Sequence, residues 1–500
     1  MAIPIGSSIN MLKGKLIRIV AAAFFICSCL SCGRSAVEVP VNSGSPIYPD
    51  YIGVTVPSNI APLNFHYTSC GIRKAKTTVM FNDFVMTFSG KEVVWDIQEW
   101  RKLLESAEND TLRFVSEIIL KGGKEESVEW EIYVSEDKID PYMTYRLIEP
   151  GYEVWHEVEI RERCLESYDE RIISDWRNTA NSCMNCHIHT QARADLSMFY
   201  VRGKHGGAFL NRDGELRKLS LKTDEMISGT VYGEVHPSGR YGVFSSNIII
   251  PGFHTQGSRR LEVYDTKSDL VIADFDMNEM TVPQSLSRKD VLETFPVFSA
   301  DGKHIYYCSA DTLSLPQEVT KLRYSLMKVT FDESTGKVGN HPEVVWDAEE
   351  HDGSVCHPKC SPDGKWIMYT VADYGTFPIW HAECQLEMMN LHTGEIFDMD
   401  VVNSDRSDTY HSWSSDSRWF VFASKRGDGK YGRPYFCHVD ANGVFTKPFV
   451  LPQEDPWLYE NCLRSFNIPD LSNGPVNFGA ETIGKMVKEM DAEKFENCCE

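Results

Sequence analysis

Ser361-Pro362-Asp363-Gly364-Lys365-Trp366-Ile367-Met368-Tyr369-Thr370 is a tight turn followed by an almost unbroken apolar strand. In such a turn the Asp side chain caps the backbone and Gly supplies a positive φ. A strand apolar on both faces reads as one buried between two neighbouring sheets. The pattern recurs as His236-Pro237-Ser238-Gly239-Arg240-Tyr241-Gly242-Val243-Phe244-Ser245, as Ser299-Ala300-Asp301-Gly302-Lys303-His304-Ile305-Tyr306-Tyr307-Cys308 and as Ser414-Ser415-Asp416-Ser417-Arg418-Trp419-Phe420-Val421-Phe422-Ala423. The glycine position of the turn falls at 239, 302, 364 and, as Ser417, at 417, giving spacings of 63, 62 and 53 residues. A small sheet cannot cover its own faces, so such units stack radially into a propeller. Residues 198–219, with Gly206-Gly207 and Asp213-Gly214, read as an earlier blade without the motif, and residues 435–451 as outer strands of the last one. Five blades are clear, and a sixth forms if an end strand closes the ring.

Working outward, residues 50–165 lack the repeat. Val54-Thr55-Val56, Leu63-Asn64-Phe65-His66-Tyr67, Lys91-Glu92-Val93-Val94-Trp95 and Glu129-Trp130-Glu131-Ile132-Tyr133-Val134 alternate as strands, and residues 96–106 suit a helix with Asp96 as N-cap. The expected fold class is all-β, a five- or six-bladed β-propeller preceded by a β-sandwich. The expected organisation is a lipoprotein signal peptide over 1–31, a linker over 32–49, the β-sandwich over 50–165, a cysteine-bearing segment over 166–195, the propeller over 196–470 and a tail over 471–500. Residues 481–494 of that tail place Ile483, Met486, Val487 and Met490 on one helical face, which reads as packing against the propeller.

Lys13, Lys15 and Arg18 precede an apolar run over 19–30 that is too short to span a bilayer. Leu30-Ser31-Cys32-Gly33 follows and matches a lipobox in which Cys32 is the lipidated residue, although position −3 is Cys29, itself a second candidate. An ordinary cleaved signal peptide is the alternative. Lipidation implies a cell-envelope protein held to the membrane through its anchor, expected at the outer membrane, with Gly33 and the lack of an acidic run after Cys32 favouring the side that faces the periplasm. Losing the leader takes the formal net charge from −22 to −25. So acidic a chain repels phosphate backbones, and nucleic acid is excluded as a partner. Export permits disulfides among the other cysteines, but their spacing leaves bridges and free thiols equally open.

The chemistry-bearing motif is Cys183-Met184-Asn185-Cys186-His187. Two intervening residues put both sulfurs on one side of a helical turn, where they form thioethers to two porphyrin vinyl groups, and the adjacent histidine reaches the iron. The expected cofactor is one covalent haem c. Cys183, Cys186 and His187 hold it and Met198 is the expected sixth ligand, with His189 and His205 as alternatives. A Cys-x-x-Cys redox pair, half a zinc site or a structural disulfide compete. No thioredoxin-like pattern surrounds the pair, and no second Cys-x-x-Cys exists.

The repeats resemble the WD40-like, TolB-type propeller family, whose blades carry a Ser-Pro-Asp-Gly-Lys turn, over roughly residues 195–470. A more specific resemblance is to TolB-like lipoproteins of Bacteroidetes, which place a Cys-x-x-Cys-His just before the propeller. Glu293-Thr294-Phe295-Pro296, Tyr410-His411-Ser412-Trp413-Ser414 and Leu451-Pro452-Gln453-Glu454-Asp455-Pro456 are further shared-looking stretches. The resemblance implies an architecture more than an activity.

In a propeller the innermost strand of each blade precedes its hairpin. Counting back seven residues from each turn gives Tyr232, Phe295, His357 and Tyr410, and counting back nine gives Glu293 and Asp408 among others. These six are expected to line one mouth of the central channel as a binding surface, the alternative being that the aromatics plug it. No phosphate loop, nucleophile elbow or His-Glu-x-x-His motif appears, so catalysis has no positive support. The expected function is a membrane-anchored haem protein serving electron transfer or redox sensing, with an envelope protein or redox partner. The alternative is a non-haem TolB-like propeller scaffold that binds an envelope protein.

Overall fold

The computed structural model describes residues 44–149, 157–252 and 262–498. The leader and the lipobox around Cys32 lie outside the described residues. Among the described residues no helix is long and apolar enough to cross a membrane.

Six antiparallel sheets are arranged as blades around an axis. The first runs Met184–His189, Leu196–Val201, Gly207–Arg212, Glu215–Ser220; the second Thr230–Val235, Tyr241–Gly252, Glu262–Asp274, Glu279–Thr281. The third uses Val291–Phe298, His304–Asp311, Ser325–Asp332 and short outer strands, the fourth Ser354–Cys360, Trp366–Ala372, Gln385–Asn390, Ile396–Phe397, and the fifth Asp408–Trp413, Trp419–Ser424, Arg433–His438, Phe449–Val450. The sixth is built from both ends of the chain: Ser465–Ser472 is its innermost strand, and Tyr142–Ile148, Glu159–Cys164 and Glu170–Asp175 follow outward. Each innermost strand touches the next, and the sixth touches the first, so the ring is closed.

This closure corrects two expected boundaries. Residues 142–175 belong to the propeller rather than to a sandwich ending at 165, and residues 184–189 form the innermost strand of the first blade rather than part of a separate 166–195 segment. The reason is edge chemistry. A propeller ended at Val450 would leave the fifth and first blades with bare faces, and a composite blade covers both.

An apolar cluster fills each junction. Leu196, Leu210, Val235 and Phe244 join the first two blades, and Trp366, Met368, Phe420 and Phe422 join the fourth and fifth. Ile160, Ile173, Phe199 and Phe209 join the sixth to the first. Ile367 and Met368, successive residues on opposite faces of one strand, are both 0% exposed, as a strand sandwiched on both sides must be.

Residues 44–140 form a five-stranded sheet (Thr55–Pro57, Glu125–Ser135, Asp110–Leu120, Ile72–Phe81, Phe84–Ser89) facing a small sheet of Ile47–Tyr48, Phe65–Tyr67 and Glu92–Val93. Phe65, Phe114 and Trp130 pack between them. The helix Ile97–Ser106 is capped as expected, with the Asp96 carboxylate accepting from the Gln98 and Glu99 amides at 2.9 Å. The C-terminal helix Ala480–Glu489 buries Ile483, Met486 and Val487 against the first and sixth blades, while Met490 stays half exposed. After it, Glu493–Lys494 and Glu496–Asn497 add in parallel to the outer edges of the first and second blades.

Three of the four repeated turns share one hydrogen-bond pattern, and in the fourth His236 Nδ1 meets Ser238 instead. Ser361 Oγ donates to Asp363 at 2.7 Å and accepts from the Trp366 amide at 3.0 Å, and Ser299 and Ser414 do the same in their blades. Ser417 holds φ +61° where the other turns have glycine. Its hydroxyl accepts from the Asp363 amide of the neighbouring blade at 3.0 Å. Ser417→Ala, which keeps the strain and loses this bond, is expected to destabilise by about 1–2 kcal/mol. Ser417→Gly relieves the strain as it loses the bond, so it should come out near neutral. Thermal melting of the two variants checks the order.

Candidate functional site at the channel mouth

Every innermost strand carries a β-bulge at the same height. The register shifts at Asn185/Ile188, Val231/Gly233, Thr294/Val297, Cys356/Lys359, Thr409/Ser412 and Asn467/Asp470. At the bulge Tyr232, Phe295, His357, Tyr410 and Ile468 hold φ between 31° and 52°. Such left-handed backbone costs bulky residues on the order of 1–2 kcal/mol each. The bulge takes each residue out of strand alternation and turns it to the axis. Cys186 holds the corresponding register position in the first blade.

The expected aromatics therefore come together. Ring centroids lie 4.4 Å apart for Tyr232 and Phe295, 4.4 Å for Phe295 and His357, and 4.7 Å for His357 and Tyr410. With Ile468 they line a cavity of about 530 Å³, of the size of a cofactor site. Cys183, Asn185, His187 and Arg146 line it as well. Phe377 of the fourth blade and Ile249 and Val263 of the second add to its apolar wall. The second blade reaches so far because its central strands run 12 and 13 residues, against six to eight in the other propeller blades. A histidine clamps this extension. His381, 0% exposed, approaches Glu262 at 2.8 Å through Nε2 and Glu383 at 3.1 Å through Nδ1.

The Cys-x-x-Cys-His motif is not on a helical turn. Met184–His189 is a strand, because it pairs with Leu196–Val201. His187, the second bulge residue, is 4% exposed. Its ring lies beside the Thr144 and Ile468 carbonyls without a well-formed hydrogen bond from either nitrogen. Burial, aided by His189 and Arg146, pushes its pKa down to about 3, so the imidazole is neutral. His411 holds the matching position in the fifth blade and donates through Nε2 to the Met368 carbonyl at 2.8 Å.

Three expected site residues stand elsewhere. Met198 is 2% exposed in the apolar core between the first two blades, opposite Ile188, and is not among the residues lining the cavity. Glu293 and Asp408, both 0% exposed, do not line it either. Glu293 pairs with Arg288 at 3.3 Å and Asp408 with Arg426 at 3.0 Å. Of the alternative iron ligands, His189 Nδ1 engages the Arg193 carbonyl at 3.2 Å and His205 sits on an exposed hairpin loop. Sequence reasoning missed Ile468 and Arg146, which the composite sixth blade supplies. One signal was available: Phe295-Pro296, His357-Pro358 and Ile468-Pro469 share a proline after the ring residue, where the bulge needs no amide donor.

Asp265, at the base of the long second-blade extension, is 4% exposed and accepts from Asn247 Nδ2 at 2.9 Å. Burial pushes its pKa up to about 7. A carboxyl raised in the folded state contributes stability at low pH that is lost as pH rises from about 4 to about 7. Asp265→Asn should therefore add about 2 kcal/mol at pH 8 and close to nothing at pH 4, as urea unfolding at the two pH values would report.

No protein-family model and no curated protein sequence matches this chain. Among solved structures it is similar to TolB from Acinetobacter baumannii, with 10% identity, a TM-score of 0.40 and coverage of 75% of this chain and 85% of that one. It is similar also to a hypothetical selenium-binding protein from Sulfolobus tokodaii, with 9% identity, a TM-score of 0.38 and coverage of 83% and 96%. An oligogalacturonate lyase from Vibrio parahaemolyticus shows 10% identity and a TM-score of 0.33, over 60% and 92%. Strand order and ring closure on their own make the chain a six-bladed β-propeller.

Proposed function

We propose that the chain is an envelope lipoprotein, anchored through Cys32, that holds one haem c at the mouth of its propeller for electron transfer or redox sensing. The observation that carries this reading is the position of the motif. Cys183 and His187 line the same largely apolar cavity of about 530 Å³, and Cys186 occupies one of the six bulge positions around the axis. Cys183 and Cys186 would form the thioethers and His187 would ligate the iron. A buried, neutral imidazole with no well-formed hydrogen bond suits that role. The bound group would supply a one-electron couple, its potential set by axial ligation and burial. The protein's part is to exclude water with Phe295, Ile468 and Phe377 and to keep His187 unprotonated.

A second reading, a non-haem scaffold whose mouth binds an envelope protein, rests on the equivalence of His187 and His411, since His411 serves a neighbouring carbonyl. Expression in cells able to mature c-type haem separates the two. A Soret band that survives denaturation and acid–acetone extraction supports the first, and colourless protein from the same cells supports the scaffold.

A further inference from the structure

Beside the channel mouth, between the first and second blades, lies an open cleft of about 880 Å³. Arg202, Tyr232 and Ile249 line both it and the channel cavity, so the two spaces adjoin. Its wall is the hairpin loop Arg202-Gly203-Lys204-His205-Gly206-Gly207 together with Lys218, Lys222 and Lys494. Acidic residues outnumber basic ones by 72 to 50 in this chain, and arginines elsewhere sit against carboxylates, as in Arg161–Glu159, Arg217–Glu493 and Arg240–Asp274. The cleft is different. Among the described residues no ion pair is formed by Arg202, Lys204, Lys222 or Lys494, and Asp491 is the one carboxylate residue lining the cleft. Arg202 is oriented by its Nε, which donates to Asn185 Oδ1 at 3.2 Å. Lys218, 3% exposed, is held by the Met486 and Met490 carbonyls at 3.1 and 2.7 Å.

Like charges gathered around a concave space repel one another and focus a positive potential into it. The loop is also built for close approach. Gly203 holds φ +93°, and a Cβ on Gly206 would stand 2.0 Å from the Val201 carbonyl oxygen, so the tight path needs glycine and leaves the backbone uncovered. Ser220 and Ser228 add hydroxyl groups to the lining.

We infer that this cleft is an anion site for a small ligand bearing two or more carboxylate or phosphate groups, with its apolar part entering the channel mouth between Tyr232 and Ile249. The same chemistry has two sources, a free polyanion or the propionates of a porphyrin seated in the adjoining cavity. The site itself does not depend on haem being present.

The test is calorimetric titration of the full chain with benzenehexacarboxylate and, separately, pyrophosphate at low ionic strength. Haem-loaded protein and the Cys183→Ala/Cys186→Ala variant are compared, with haem content read from the Soret band of each sample. Saturable binding that weakens with added salt is expected. Lys204→Ala/Lys222→Ala should weaken it roughly tenfold, and Arg202→Gln should weaken it further. Lys74→Ala/Lys102→Ala, far from the cleft, should leave it unchanged. Binding to both protein forms identifies a free ligand, and binding confined to the haem-free form identifies the porphyrin propionates. No binding to either form at millimolar probe, or equal binding by the wild type and the Lys204→Ala/Lys222→Ala variant, overturns the proposal whatever the haem content proves to be.

Discussion

A chain ended after Arg464 should fail to fold as a propeller, although it keeps every one of the repeated hairpins. The segment removed begins with Ser465–Ser472, the innermost strand of the sixth blade, which pairs with Tyr142–Ile148 across six register positions. Phe466 and Leu471 are 5% and 0% exposed there, and Ile483, Met486 and Val487 of the C-terminal helix are lost with them. Each fully buried side chain of this kind contributes about 1.5–3 kcal/mol. The total deleted therefore exceeds 5 kcal/mol, about the whole net stability of an ordinary domain. The same strand forms part of the cavity wall, so folding and site are lost together. Leu471→Asp is the milder version and should destabilise by about 4 kcal/mol by placing a carboxylate among apolar groups. Near-ultraviolet circular dichroism and thermal melting follow both. A truncated chain that melted like the full one would show that the ring closes without its composite blade.

The second large effect concerns the cysteine motif. In cells that mature c-type haem, Cys183→Ala with Cys186→Ala is expected to abolish covalent colour completely, with nothing left in the Soret region after denaturation. Each single substitution leaves one thioether, which should retain haem with a displaced band in the reduced spectrum. His187→Gln preserves side-chain volume and both thiols, so attachment should persist while the spin state changes. Mass spectrometry of the intact chain checks attachment independently of colour. Cys183 and Cys186 both found alkylated, by peptide mass spectrometry, in colourless wild-type protein from such cells would end the haem reading and leave the scaffold.

The repeated hairpins were legible because one short stretch carries everything they need: a capped turn, a positive φ and a strand apolar on both faces. Tyr232, Phe295, His357 and Tyr410 followed from counting back along that unit, and they meet around the axis. Glu293 and Asp408 did not follow, because counting by two assumes unbroken alternation. The bulge at Phe295 and Tyr410 breaks it, and each acid two positions earlier is buried against an arginine instead. Met198 suits the iron because His/Met ligation raises the potential towards electron transfer, but that preference says nothing of where the residue packs. The strand it lies on needs an apolar residue opposite Ile188, and that need decides its place. The sixth blade was hidden for another reason. Its innermost strand has no Asp-Gly hairpin after it, and its partners stand more than three hundred residues earlier. The clamp of Glu262, His381 and Glu383 joins a strand end of the second blade to a loop of the fourth and leaves no local signature.

The weld between Arg146 and Asn467 also sets a timetable. During synthesis or export the strands at 142–175 emerge early and wait, with one edge uncovered, until the far end of the polypeptide arrives. Such non-local pairing is slow and leaves edges open to wrong partners meanwhile. The wall facing Cys183 and His187 is the last to be put in place. Any enzyme or small molecule that must reach those side chains has the interval before docking in which to act, and the final strand shuts the door behind it.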